Sequence, residues 1–353
     1  MSSDSFSSSL LIWFDQYGRK HLPWQQQRTP YRVWVSEIML QQTQVNTVIP
    51  YYDRFMQRFP DVRTLAEADA DTVLHHWTGL GYYARARNLH KTAKIVQAEH
   101  AGVFPDSVDA LSALPGIGRS TAGAIRALGM GKHAVILDGN VKRVLCRVHC
   151  LVGAPDQSKV QEVLWQLAAQ HTPRERCADY TQAIMDLGAT LCARTKPACG
   201  LCPLNTECAA FNTNRTADYP GKKPTKKLPV KSTYMLIFHH REAQQVLLEK
   251  RPPQGIWGGL WSFPETDDIA SFDNVLNSQL LSAPGDAKQW SPLRHSFSHY
   301  HLDITPVVIP LDRTHISIME NERWHWYDLR SPAELGLAAP VKKLLGFLSR
   351  QQN

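Results

Sequence analysis

Hydrophobic positions recur every three or four residues from about residue 5 to residue 190, a spacing that predicts amphipathic helices. The stretches 65–74, 89–96 and 160–167 show it most regularly. Strand-like alternation of apolar and polar residues is nearly absent from this part of the chain. We therefore expect an all-helical N-terminal half.

The pattern changes after a segment rich in lysine and proline, Lys222–Lys231, which cannot build a core and is typical of a linker. Beyond it, Tyr234–Phe238, Val246–Leu248 and Ile304–Ile309 predict strands, and residues 295–302 alternate with a period of two. We therefore predict a helical domain at 1–221, a basic linker at 222–231 and a separate mixed domain at 232–353.

Size and charge narrow the class of protein. With 353 residues the chain can build two domains with sizeable cores. Its net charge of +7 favours a polyanionic partner, most simply nucleic acid. The N-terminus lacks a basic region followed by an apolar stretch, and no apolar run is long enough to cross a bilayer. We expect a soluble intracellular protein, cytoplasmic or associated with the nucleoid, with no membrane partner.

Four of the seven cysteines form a tetrad with the spacing C-x6-C-x2-C-x5-C: Cys192, Cys199, Cys202 and Cys208. Three interpretations compete. Disulfides need an oxidising compartment, which nothing in the sequence indicates. Structural zinc sites favour two CxxC-type pairs, and only Cys199 and Cys202 form one. The unequal outer spacing favours one 4Fe-4S cluster, with zinc as the main alternative.

The segment Leu114–Gly118 joins two stretches with helical periodicity. Pro115 ends the first helix, and Gly116 and Gly118 allow a sharp turn and a close approach to a partner. This is the helix–hairpin–helix pattern, whose second helix presents amide groups to a DNA phosphate. An ordinary turn between two helices is the alternative for the pentapeptide alone.

Asp138 precedes an apolar series typical of a helix and should cap that helix. A capping carboxylate accepts backbone N–H groups and stays ionised, which suits it to stabilise a cationic transition state. A plain structural cap is the alternative. Lys142 and Arg143, in the next turn, can contact phosphate or be solvated charges.

The segment Val33–Val45 predicts a helix with Glu37 beside its apolar face. Burial there should raise the pKa of Glu37 and make it a proton donor, although a surface charge is the alternative. Gln41 and Gln42 follow as uncharged hydrogen-bonding residues suited to base edges. Tyr82, in a glycine-rich turn, can stack between bases or belong to the core.

Taken together and in this order, five segments resemble the MutY-type adenine DNA glycosylases, a branch of the endonuclease III superfamily. These segments are Ser36–Thr43, Gly79–Tyr83, Leu114–Gly118, Leu137–Asn140 and the cysteine tetrad. The resemblance covers essentially the whole chain. It implies a multidomain protein: an all-α helix–hairpin–helix glycosylase domain, with a six-helix module and an iron–sulfur module at 192–208, and a C-terminal α+β Nudix-like domain.

The resemblance also implies residue roles. Glu37 would donate a proton to the flipped adenine, Asp138 would stabilise the oxocarbenium-like sugar, and Asn140 would help to orient it. Ser120 stands where bifunctional relatives carry a catalytic lysine, and a hydroxyl cannot form a Schiff base. The resemblance therefore implies a monofunctional enzyme that leaves an abasic site, with Ser120 and Lys142 among the DNA-contacting residues.

The implied partner is double-stranded DNA with adenine opposite 8-oxoguanine or, less efficiently, guanine, bound by a monomer. Gln42 and Tyr82 would enter the base stack near the lesion, and Ser298 would contact 8-oxoguanine. For Ser298 the alternative is the exposed face of a strand. The C-terminal segment lacks the glutamate series of a Nudix box, so it should hydrolyse nothing.

Two rival functions remain open from the sequence. One is a bifunctional pyrimidine-lesion glycosylase with lyase activity, which Ser120 argues against. The other is a non-catalytic iron–sulfur protein that binds DNA and senses redox state, which an acid role for Glu37 would exclude.

Overall fold

The computed structural model describes residues 3–222, 227–268, 287–311 and 321–350. Within these ranges no helix is both long and apolar enough to span a membrane. Contacts divide the chain into two compact units. The first combines Met1–Glu67 with Asn88–Pro224, and the second combines Ala68–Arg87 with Thr225–Asn353.

The described part of the chain up to residue 222 is helical, as the spacing of its apolar residues predicts. Polar caps and proline begin several of these helices; Thr29, for example, accepts the N–H of Arg32 ahead of Pro30. The helices are α1 Ser3–Tyr17, α2 Pro23–Gln26, α3 Pro30–Leu40, α4 Val45–Arg58, α5 Val62–Glu67, α6 Ala70–Trp77, α7 Ala84–Glu99, α8 Val108–Ser112, α9 Arg119–Ala124, α10 Gly139–Val148, α11 Ser158–His171, α12 Cys177–Thr190 and α13 Ala209–Asn212.

The predicted helix over Val33–Val45 is wrong at its C-terminal end. Helix α3 stops at Leu40, and Val45 opens α4 instead of continuing the apolar face of α3. The chain leaves the helix at Gln41, with ψ 112°, and Gln42 adopts a left-handed conformation with φ 57°. Similarly, residues 65–74 belong to two helices, because Asp69 caps α6.

The predicted hairpin joins α8 to α9 in the first unit. Gly116 is left-handed, with φ 76°, and a Cβ atom there would lie 2.8 Å from the Cβ of Asn88. The hydroxyl of Thr92 donates to the carbonyl of Pro115 at 2.8 Å. Helix α7 therefore packs against the hairpin. Because of the left-handed backbone and the nearby Asn88, only glycine fits at position 116.

Two more glycines let α9 and the π-helical turn Ile125–Gly129 approach neighbouring backbone closely. A Cβ at Gly123 would lie 2.2 Å from the carbonyl oxygen of Val135, and one at Gly129 would lie 2.8 Å from the Cα of Pro30. Pro30 begins α3, and Val135 precedes α10 by four residues. The segment therefore sets the spacing between the elements that lead to Glu37 and Asp138.

The C-terminal part is built around one mixed sheet. Its central strands β1 and β7 are parallel and paired over eleven residues, while the other pairings are antiparallel. The strands are β1 Val230–His240, β2 Gln245–Lys250, β3 Trp261–Ser262, β4 Glu265–Thr266, β5 Lys288–Gln289, β6 Leu293–Ser296, β7 His301–Leu311 and β8 Trp324–Asp328, and helix α14, Ala339–Arg350, follows them.

Three of the predicted strands are confirmed as parts of β1, β2 and β7. Their apolar side chains, including Leu236, Phe238, Leu247 and Ile309, form one buried cluster. The alternation over 295–302 is not one strand. β6 ends at Ser296 and β7 starts at His301, and the N–H of Phe297 donates to the carbonyl of Tyr300 across the turn between them.

Candidate active site and cysteine cluster

A cavity of about 920 Å³ in the first unit brings together the two carboxyl groups selected from the sequence. Glu37 reaches it from α3, and Asp138 reaches it from the N-terminus of α10. Ser120 on α9 lines the same space. The remaining predicted residues that line it are Gln41, Gln42 and Asn140.

Glu37 sits in surroundings that favour its neutral form. Burial, and to a smaller extent the charge of Asp138, raise the pKa of Glu37 from 4.5 to about 8. The group is therefore mostly protonated at neutral pH. A carboxylic acid in that state can donate a proton at neutral pH.

Asp138 is held at the start of α10 as a helix cap. One carboxylate oxygen accepts the N–H of Val141 at 2.8 Å, and the other accepts the side-chain amide of Asn140 at 3.2 Å. Burial raises the pKa of Asp138, which opposes the expectation that it stays ionised. These donors and the charge of Arg143 lower the pKa and so oppose the effect of burial.

Ser120 fixes the backbone just before Asp138. Its hydroxyl oxygen accepts the N–H of Leu137 at 3.0 Å. Ser120, at the position where bifunctional relatives would carry a catalytic lysine, is thus hydrogen-bonded to the main chain.

Arg143 connects the carboxylate end of α10 with the cysteine tetrad. Its guanidinium donates to the side-chain oxygen of Asn140 at 2.8 Å, to the carbonyl of Gly188 at 2.6 Å and to the carbonyl of Cys192 at 2.8 Å. The solvated-charge interpretation does not describe this residue, because several of its donors are used inside the unit. Arg143 also lines the cavity, and a phosphate contact stays a prediction. Asn140 in turn bonds Asp138, so a continuous chain of hydrogen bonds joins Asp138 to the first cysteine.

The four cysteines of the tetrad line one small cavity of about 20 Å³. All seven cysteines of the chain are free, so the disulfide interpretation is wrong. Burial raises the pKa of the Cys202 thiol to about 12, so deprotonation there requires a cationic partner such as a metal centre.

The tetrad places four thiol donors around one space, a donor set that suits a structural zinc ion or an iron–sulfur cluster. The 4Fe-4S cluster therefore stays a prediction, with zinc as the alternative.

Arg147 holds the same loop from inside. It is 3% exposed, and its guanidinium donates to the sulfur of Cys192 at 3.3 Å and to the carbonyl of Ala193 at 2.8 Å. Further bonds reach the carbonyls of Thr216 and Tyr219. A hydrogen bond to a ligand sulfur stabilises its thiolate form.

The remaining predicted site residues lie outside the cavity. Gly116 and Gly118 form the hairpin turn, and Lys142 is half-buried in the first turn of α10. Tyr82 and Ser298 belong to the second unit. Tyr82 is 49% exposed, which excludes the core interpretation, and Ser298 is exposed in the turn between β6 and β7 instead of on a strand face.

The sequence interpretation missed a polar cluster beside the cavity, of which Arg19 and Gln182 line the cavity itself. Arg19 forms an ion pair with fully buried Asp186 at 2.8 Å, and Gln182 donates to the same carboxylate at 2.8 Å. Gln25 bonds Gln182. The signal was weak, because the four residues come from the α1–α2 region and from α12, which are far apart in sequence. Only the helical periodicity of α12 could have placed Gln182 and Asp186 on one face.

Comparison with known proteins agrees with this architecture. Residues 35–170 match the model of the HhH-GPD superfamily of base excision DNA repair proteins, and residues 233–346 match that of the NUDIX domain. A solved structure described as a thermostable thymine-DNA glycosylase covers 60% of this chain and 97% of its own, with 27% identity and a TM-score of 0.54. The fold thus defines a base excision DNA repair protein of the helix–hairpin–helix class with a Nudix-like C-terminal domain. This confirms the predicted helical and Nudix-like domains, while the iron–sulfur module stays a prediction.

Relatives that match most of this chain identify the branch of the superfamily. An adenine DNA glycosylase of Buchnera aphidicola subsp. Acyrthosiphon pisum is 39% identical over 345 residues, 98% of each chain. An adenine DNA glycosylase of Homo sapiens is 36% identical over 312 residues, 74% of this chain and 57% of its own. The chain belongs to the adenine DNA glycosylase family, as the resemblance of its motifs predicted.

Proposed function

We propose that this protein hydrolyses the N-glycosidic bond of adenine mispaired with 8-oxoguanine and, less efficiently, with guanine. The observation that carries the proposal is the pair of carboxyl groups in one cavity, with Glu37 neutral near pH 7 and Asp138 beside it. This is the division of roles that glycoside hydrolysis requires, one acid and one anion. Membership of the adenine DNA glycosylase family supports adenine as the substrate base.

The proposed reaction begins with extrusion of the adenine into the cavity. Protonated Glu37 donates its proton to N7, the bond between C1′ and N9 breaks, and its electron pair leaves with the adenine. Asp138 stabilises the cationic sugar, while Asn140 holds one of its oxygens. Water then adds to C1′ and returns a proton to Glu37, so the products are adenine and an abasic site.

A monofunctional outcome follows from Ser120. Its hydroxyl offers no amine for a Schiff base and accepts the N–H of Leu137. The sugar therefore stays in the strand as an abasic site, and the strand remains intact until another agent cleaves it.

The tetrad of cysteines is proposed to hold one 4Fe-4S cluster with a structural role. The cluster would replace the protons of buried thiols and tie the loop at residues 192–208 together. Direct measurement of iron and acid-labile sulfide in the purified protein tests this. A stoichiometric zinc content without sulfide would contradict it.

For the domain boundaries we keep the prediction from the sequence, a catalytic domain at 1–221, a linker at 222–231 and a lesion-recognition domain at 232–353, with two differences: Ala68–Arg87 belongs to the second unit, and Val230 and Lys231 already lie in β1. Residues 223–226 of the linker lie outside the described residues. The last would read 8-oxoguanine through Ser298 and hydrolyse no nucleotide. Gln41, Gln42, Tyr82, Gly116, Gly118, Ser120 and Lys142 would contact double-stranded DNA. The protein would act as an intracellular monomer.

The deciding experiment is single-turnover excision on duplexes that carry adenine opposite 8-oxoguanine, guanine or thymine. We expect alkali-labile sites with the first two mispairs, fastest with 8-oxoguanine, and little cleavage without alkali. Glu37→Gln should abolish release while mispair binding persists. Glu67→Gln, a matched change at a side chain 60% exposed on α5, should leave release intact.

Three results would contradict the proposal. Efficient nicking without alkali would favour a bifunctional enzyme. Excision retained by Glu37→Gln would show that Glu37 is not the proton donor. Mispair binding without any base release by the wild-type protein would favour a non-catalytic DNA-binding protein.

A further inference from the structure

The second unit contains a short piece of the helical half, Ala68–Arg87, packed with the C-terminal residues. Helix α6 contributes an ion pair between Asp71 and Lys250 at 2.8 Å, and both side chains are largely shielded from solvent. His75 contacts the carbonyl of Leu335. The turn that follows α6 is therefore attached to the C-terminal residues and not only to its own helices.

That turn presents an aromatic ring in a constrained backbone. Gly79, Gly81 and Tyr82 all have positive φ angles, of 112°, 72° and 49°. The left-handed conformation is unfavourable for tyrosine, so the contacts around the turn must maintain it. Leu80 and Tyr83 are buried, whereas the ring of Tyr82 is 49% exposed. Buried Leu80 and Tyr83 thus anchor the turn, while the ring of Tyr82 remains partly exposed to solvent.

One hydroxyl fastens the start of the turn to the C-terminal residues. The hydroxyl of Tyr83 donates to the carbonyl of Leu337 at 3.1 Å and accepts the N–H of Gly79 at 3.4 Å. Because one oxygen makes both bonds, the position of Gly79 depends directly on the position of Leu337.

Arg87 fastens the other side, at the first turns of α7. Its Nη1 donates to the carbonyl of Gly258 at 2.7 Å, and its Cδ would lie 3.9 Å from a Cβ at Gly259. Arg85 contacts the turn itself and the preceding helix: it donates to the carbonyls of Leu80 and Gly81, and its guanidinium faces the rings of Tyr82 and Trp77 at 5.4 Å.

We infer that Tyr83 and Arg87 are positioning residues that hold the exposed Tyr82 ring in register with the C-terminal lesion-recognition residues. The inference rests on the proposed function, in which Tyr82 enters the base stack near 8-oxoguanine. It adds a way for the C-terminal residues to act on selectivity: they fix the turn that carries the stacking ring, in addition to any direct contact with the lesion. Neither Tyr83 nor Arg87 needs to touch DNA.

The first test measures the turn without DNA. Amide hydrogen exchange of a peptide spanning residues 78–85 should be faster in Tyr83→Phe and in Arg87→Met than in the wild-type protein. Arg87→Lys keeps a donor and should restore part of the protection. Tyr327→Phe, which removes a buried tyrosine hydroxyl on β8, is the matched control and should leave that peptide unchanged.

The second test asks whether Tyr83 acts through Tyr82. The ratio of single-turnover excision rates, adenine opposite 8-oxoguanine over adenine opposite guanine, should fall at least about threefold in Tyr83→Phe. In a Tyr82→Ala background, the same change should have no further effect, because non-additivity identifies residues that act as one unit. Arg87→Met provides the same comparison should Tyr83→Phe fold poorly.

The outcomes separate the two claims. Unchanged exchange in both single variants, or a full threefold effect of Tyr83→Phe in the Tyr82→Ala background, would overturn the inference while leaving adenine excision in place. A wild-type protein that excises no adenine from either mispair would overturn the proposed function, and the exchange measurement would still decide whether Tyr83 and Arg87 hold the turn.

Discussion

Replacing Glu37 with glutamine should stabilise the protein, and the gain should grow with pH. In the folded protein, burial and Asp138 raise the pKa of Glu37 from 4.5 to about 8. Between these values the unfolded chain has released a proton that the folded protein retains. The free energy of unfolding therefore falls by about 1.4 kcal/mol for each pH unit in this window.

The sign and the limits of this effect follow from the two states. Below pH 4.5 the carboxyl is protonated in both states, and above about pH 8 it is ionised in both. The loss of stability starts near the lower value, is complete near the higher one, and totals about 5 kcal/mol. Glutamine has a similar shape and no proton to lose, so Glu37→Gln avoids the loss.

Urea unfolding at pH 5.5, 7.0 and 8.5 measures the effect. The difference in free energy of unfolding between Glu37→Gln and the wild-type protein should increase by about 3 kcal/mol from the lowest to the highest pH. Glu67→Gln, at an exposed position, should show a difference that does not change with pH. A pH-independent difference for Glu37→Gln as well would mean that the carboxyl has an ordinary pKa, and the proposed proton donor would be lost.

The remaining predictions concern single side chains around the two sites. Asp138→Asn should slow single-turnover excision at least about a hundredfold, as the loss of a preorganised charge does, and a near-normal rate would reduce Asp138 to a helix cap. Arg143→Gln should slow excision and lower the iron content, because the arginine bonds both Asn140 and the loop of Cys192; a change in only one of the two would refute the connection. Ser120→Lys should increase the species trapped by borohydride, and unchanged trapping would count against the assignment of that position. Ser298→Ala should narrow the preference for 8-oxoguanine over guanine, whereas equal losses on both mispairs would argue against a lesion contact.

The fold was predictable where apolar spacing continued over a whole element. Residues 160–167 lie within α11, and residues 234–238 lie within β1. The prediction failed at Val33–Val45, because the helix ends at Gln41–Gln44 without glycine or proline. Gln42 adopts a left-handed backbone there, and a periodicity of apolar residues carries no information about such a conformation.

The site was predictable to the extent that its residues fall in compact motifs. Glu37, Asp138 and Ser120 line one cavity, as the ordered motifs suggested. Two partners of Arg143 were not predictable, because they are the backbone carbonyls of residues 188 and 192, which have no side-chain signature in the sequence. The same holds for Tyr83, whose hydroxyl bonds the carbonyl of a residue 254 positions away.

Gly123 and Gly129 approach neighbouring backbone so closely that few substitutions should be tolerated at either position. One abuts the backbone of Val135 and the other that of Pro30, so any larger residue must displace a main chain that leads to a carboxyl group. In a saturation mutagenesis screen scored by retained repair activity, substitutions at these two positions should therefore be nearly as damaging as substitutions at 37 and 138. Substitutions there would inactivate the protein by displacing main chain that leads to Glu37 or Asp138.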